Sequence, residues 1–144
     1  MMPKRFPLAG LLRLRHTEQD RAAATLASAN DRVREAADAR IAARRTLEET
    51  GTAMPIEDAA TLSAVAAARA ATRGMLRELD VVVEQRRTDA ARAQDEYTAA
   101  RRSALGLEKL EEQHTERTTA EELRTEQNAL DEIAARSCTE GGTR

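Results

Sequence analysis

The chain has 144 residues but only two aromatic residues, Phe6 and Tyr97, and no tryptophan, so it lacks the bulky side chains that fill the centre of a compact globule. Hydrophobic residues make up 41%, with alanine the commonest, and charged residues make up 33%. The net charge of −2 excludes an overall basic pull toward nucleic acid or anionic lipid, and no apolar run is long enough to span a membrane.

The opening segment, MMPKRFPLAGLLRLR, faintly imitates a signal peptide. Arg13 and Arg15 cut its apolar stretch short, and no small-residue cleavage site follows at once, which argues against one. From about Leu8 to about Thr50 the spacing predicts a first helix. Alternate steps of four and three pass through Leu8, Leu12, Arg15, Gln19, Ala22, Leu26, Ala29, Val33, Ala36, Arg40, Ala43 and Leu47. A repeat of 3.5 residues sustained this far is the mark of a left-handed supercoil.

The pattern stops at Gly51-Thr52-Ala53-Met54-Pro55. Gly51 suits the position just past a helix end, and Pro55 a first helical position, with Glu57 and Asp58 placing negative charge at the new N-terminus. So short a connection predicts an antiparallel hairpin. The second helix is expected from Ile56 to about residue 136. Its seam runs through Leu62, Val65, Arg69, Thr72, Leu76, Leu79, Val83, Arg86, Ala90, Ala93, Tyr97, Ala100, Ala104 and Leu107. Folding the chain about residues 53–54 sets Leu47 near Leu62, Val33 near Leu76, Leu26 near Leu79 and Val83, and Leu12 near Tyr97. The expected fold class is all-α, a long two-helix antiparallel coiled coil with the second helix overhanging after about residue 100. Between Glu111 and Glu122 the overhang has almost no apolar residue, so it should fray alone and firm up on a partner. Residues 137–144 read as a disordered tail.

Charge is unevenly placed. Residues 1–50 carry ten Lys/Arg against seven Asp/Glu, whereas residues 107–135 carry three against nine. That asymmetry suits orientation on a partner, or is ordinary helix surface. Arg40, Arg44, Arg45, Arg69 and Arg73 should gather on the half of the hairpin nearest its tip. No aromatic interleaves them for base stacking, so they serve solubility and helix-surface pairing or, as a functional reading, dock an acidic protein surface rather than nucleic acid.

Chemistry-bearing constellations are missing. His16 and His114 have no second His or Cys at ligand spacing and read as plain surface residues, so no metal and no cofactor is expected. No nucleophile–base pair has a pocket to sit in, and Gly141-Gly142 is not followed by Lys-Ser/Thr. The lone Cys138 permits no internal disulfide and fits a reducing compartment. The expectation is a protein that acts by binding rather than by catalysis.

Phe6-Pro7-Leu8, Leu11-Leu12 and Leu14-Arg15 resemble the start of the flagellar export protein FliJ family. Leu107-Glu108-Lys109-Leu110, followed by an acidic helix and Asn128-Ala129-Leu130-Asp131-Glu132-Ile133-Ala134, is similar to that family's C-terminal segment. The resemblance implies a cytoplasmic component of the flagellar type III export apparatus, peripheral at the inner face of the cell membrane and not inserted in it. It further implies a stalk-like coiled coil that binds the hexameric export ATPase, contacts the cytoplasmic domain of the export-gate membrane protein and escorts export chaperones. Ring contacts are then expected at Leu8, Leu11, Leu12, Leu14 and Arg15, with Leu107, Leu110, Leu123, Leu130, Asp131 and Glu132. For Leu8 and Leu12 seam packing is an equal alternative, whereas Leu11 and Leu14 fall off the seam register. Gate contacts are expected at Arg40, Arg44, Arg69 and Arg73. Two alternatives stay open: a rod that self-associates through its overhang, and the equivalent stalk of a virulence secretion system.

Overall fold

The computed structural model describes residues 5–50 and 55–140, with side chains as far as Cys138. Two helices, α1 (Ala9–Thr50) and α2 (Ala59–Glu140), pack against each other, and no strand occurs among the described residues. The fold is all-α. Both helices are rich in Ala, Leu, Arg, Glu and Gln, whose side chains lose little freedom in a helix.

Their starts are specified locally. The Phe6 carbonyl accepts from the Ala9 N–H at 3.2 Å and the Leu8 carbonyl from the Leu12 N–H at 2.9 Å, which sets the first turn of α1. Asp58 caps α2: the Thr61 N–H donates to its Oδ1 at 2.7 Å, and the Leu62 N–H to its carbonyl at 3.1 Å. The cap moves the start of α2 from the expected Ile56 to Ala59, because Pro55 can open a helix but cannot satisfy its free N–H groups. The expected break at Gly51–Met54 lies outside the described residues. At the other end α2 runs to Glu140, so residues 137–140 are helical where a tail was expected, and 141–144 lie outside the described residues.

The chain divides into two compact units. In the unit formed by Gln19–Ala100, every seam position read from the sequence is buried or half-buried except Leu62. Ala29, Ala36 and Ala43 of α1 and Val83 and Ala93 of α2 form its centre. Small residues let the two backbones approach, and the single bulky Val83, 2% exposed, fills the layer they leave.

The pairing differs from the fold-back about residues 53–54. Arg40 Nε lies 2.6 Å from Asp80 Oδ1, Ala29 shares a groove with Ala93, and Ala43 shares one with Thr72. Each α1 residue therefore meets a stretch of α2 further along the chain than that fold-back gives. Val33 does not face Leu76, and Leu26 does not face Val83. The Asp58 cap delays the start of α2 to Ala59, and Leu62, expected in the seam, is left 53% exposed.

The second unit comprises Met1–Glu18 and Arg101–Arg144. Leu12 (6% exposed) and Ala104 (0%) are its buried residues, and Leu107 is half-buried. His16 Nε2 lies 2.6 Å from Glu108 Oε1, and the Phe6 and His114 rings meet at 5.7 Å. Leu12, between Phe6 and His16, thus stands against the stretch Glu108–His114, not against Tyr97. The overhang accordingly starts later than residue 100. Every residue from Thr119 to Cys138 is exposed, and the helix persists there through hydrogen bonds within itself, among them Gln127 to Asp131.

Candidate functional site

Within the unit of Met1–Glu18 and Arg101–Arg144, the first turns of α1 carry more leucine than the seam can absorb. Leu12 is buried, while Leu8, Leu11 and Leu14 remain 39%, 39% and 50% exposed. Leu11 and Leu14, three residues apart, are surface neighbours. Arg15 is half-buried and donates to Glu18 at 2.8 Å, a partly exposed pair whose energetic value is small. On α2, Leu110 is 47% exposed.

Further along α2, Leu123, Leu130 and Ile133 are each more than 60% exposed. Steps of seven and three keep them on one helix face. Ile133 belongs to this stripe by its spacing, although the docking set read from the sequence omits it. Acidic side chains border the stripe. Asp131 accepts from Gln127 Nε2 at 3.0 Å, and Glu132 is paired with Arg136. Both histidines depart from the expectation of plain surface residues. Each is half-buried, His16 against Glu108 and His114 against the only phenylalanine in the chain.

The unit of Gln19–Ala100 carries a basic groove of about 390 Å³. Its walls bring together Arg40, Arg44, Arg45 and Arg87 around Ile41 and Val83. Arg40 is answered by Asp80, and Arg87 donates to Glu84 at 2.7 Å. Arg44 and Arg45 make no ion pair or hydrogen bond among the described residues. The arginines expected to join Arg40 and Arg44 do not line this groove. Arg69 is half-buried on the seam, with its Nε lacking a partner among the described residues, and Arg73 is exposed. Arg87 takes their place because of the shifted pairing. Ile41, 51% exposed, was legible as an apolar residue beside Arg40 but off the seam.

Among the described residues, no three His, Cys, Asp or Glu side chains gather as a metal site, and no helix is long and apolar enough to cross a membrane. What the molecule offers is helix surface with surplus leucine at one place and surplus arginine at another. The family model of the flagellar FliJ protein matches residues 3–142. The chain belongs to the FliJ family. No curated protein and no solved structure matches it. As a FliJ-family member it is a coiled-coil component of flagellar protein export, from a family of non-enzymatic parts. The matched span includes the exposed leucines of both helices and the basic groove.

Proposed function

We propose that this FliJ-family chain is a stalk that binds the hexameric flagellar export ATPase, links it to the cytoplasmic domain of the export-gate protein and meets export chaperones, at the inner face of the cell membrane. The observation that carries the proposal is the contrast within one turn of α1. Leu12 is 6% exposed in the seam, while Leu11 and Leu14 remain on the surface at 39% and 50%. Leucines that stay this exposed outside the seam are best accounted for by a partner that covers them.

Ring contacts fall on Leu8, on Leu11, Leu14 and Arg15 of α1, and on Leu110, Leu123, Leu130, Asp131 and Glu132 of α2. Leu12 and Leu107 act there by holding the seam beneath. Gate contacts fall on the arginines of the other unit, Arg40 and Arg44 of α1 with Arg69 and Arg73 of α2. Self-association through the overhang is disfavoured by its charge, since Glu121, Glu122, Glu126, Asp131 and Glu132 would meet their own kind. The test is to add the chain in substoichiometric amounts to the flagellar export ATPase. Faster hydrolysis and more hexamer are expected; no change in either would remove the stalk.

A further inference from the structure

We infer that the groove between Arg44–Arg45 and Arg87 is a binding site for an acidic protein segment that inserts one aliphatic side chain between its charges. The proposal deepens the gate contact just described and rests on it only for the identity of the neighbour; the chemistry comes from the groove itself.

Three observations carry it. First, Val83 at 2% exposed closes the base of the groove, while Ile41 on its wall is 51% exposed, so an apolar surface lies open where the seam has no use for it. The space of about 390 Å³ admits an aliphatic side chain. Second, the charges around that surface are not balanced internally. Arg40 and Arg87 each have a carboxylate, Asp80 and Glu84, whereas Glu48, which also lines the groove, makes no ion pair with Arg44 or Arg45. Arg44 and Arg45 have none among the described residues, so two guanidinium groups remain to receive carboxylates from outside. Third, the groove contains no aromatic side chain, so bases of a nucleic acid would find nothing to stack on. An apolar floor flanked by unanswered guanidinium groups fits alternating acidic and aliphatic residues, with steering from charge and retention from the buried side chain.

The test uses the full-length chain and three fluorescently labelled peptides read by anisotropy. One is rich in Glu and Asp around a single leucine, the second has serine in place of the leucine, and the third has lysine in place of the acids. Only the first should bind well, more weakly as salt is raised. Arg44→Glu together with Arg45→Glu should weaken it about tenfold or more, and Ile41→Ser should weaken it less. Arg101→Glu with Arg102→Glu, two exposed arginines outside the groove, should leave it unchanged. The milder pair Arg44→Gln and Arg45→Gln, checked for helicity by circular dichroism, guards against misfolding. Equal binding of the serine peptide, or indifference to both Arg44/Arg45 pairs, would overturn the site. Sedimentation decides the occupant: a dimer that dissociates in the Arg44→Glu/Arg45→Glu variant would assign the groove to a second copy and overturn the proposal. The gate domain is measured separately on the same variants. If the leucine peptide depends on Arg44 and Arg45 while the gate domain does not, the groove stands and the gate contact falls; the converse removes the groove.

Discussion

Arg40 Nε stands 2.6 Å from Asp80 Oδ1, and this cross-helix ion pair marks how α1 and α2 are matched within the Gln19–Ala100 unit. Both side chains are partly exposed, so the pair is worth only about 0.2–1 kcal/mol, and its main value lies in choosing among alignments. In a Cys138→Ser background, Ala29→Cys with Ala93→Cys should join efficiently under a short thiol crosslinker. Val33→Cys with Leu76→Cys, matched only by a fold-back about residues 53–54, should not. The reverse yields, read on a denaturing gel, would refute the observed alignment.

Why that alignment escaped the sequence is a matter of symmetry. A seam of 3.5-residue period says which side chains face inward, and nearly every one from Gln19 to Ala100 does. Sliding one helix by whole heptads keeps the same residues inside, and an alanine-rich seam has few bulky layers to penalise the wrong slide. The signals that break the tie are polar: Arg40 with Asp80, His16 with Glu108, and Asp58 three residues before Thr61 as the cap that delays α2. The exposed leucines were legible because Leu11 and Leu14 fall off the register. The basic groove was legible only by half, since Arg44 and Arg45 are read from α1 alone, whereas Arg87 joins them through the pairing.

Gly106 lies in the middle of α2, and a Cβ built on it would meet nothing within 4 Å. The helix passes through without interruption, so no hinge conformation needs the glycine. Gly106→Ala should therefore stabilise the fold by about 1 kcal/mol through helix propensity alone. The change is read as a higher denaturant midpoint; an unchanged or lowered midpoint would mean that the glycine serves a partner or a bend.

Asp58 should make the start of α2 sensitive to acid. Hydrogen bonds from the Thr61 side chain and then its backbone N–H hold the Asp58 carboxyl below its usual value of 3.8. A carboxyl depressed on folding contributes stability that is present above the unfolded-state value, and this is lost as pH falls through the lower folded value. Amide exchange at Thr61 and Leu62 should therefore be slow near neutrality and accelerate, relative to the rest of α2, below about pH 3.9. Asp58→Asn should remove most of that pH dependence while keeping the cap. Unaltered acid sensitivity in Asp58→Asn would assign it to other carboxyls.

The two neighbouring leucines Leu12 and Leu14 separate folding from binding within one helical turn. Leu12 is 6% exposed against the α2 stretch that carries Glu108, whereas Leu14 is 50% exposed and off the seam. Leu12→Asp places an unpaired carboxylate among apolar atoms and should cost about 3–5 kcal/mol, comparable with breaking a buried ion pair. Leu14→Asp adds the same charge in contact with water and should move the thermal midpoint very little, since surface changes of this kind stay within about 0.5 kcal/mol. Stimulation of the export ATPase should be lost in both, but for different reasons. In Leu12→Asp it should fail along with helicity, and in Leu14→Asp with helicity intact. Normal stimulation by a folded Leu14→Asp protein would move the ring contact away from this face of α1. A Leu14→Asp protein that melts like Leu12→Asp would instead mean that Leu14 belongs to the seam.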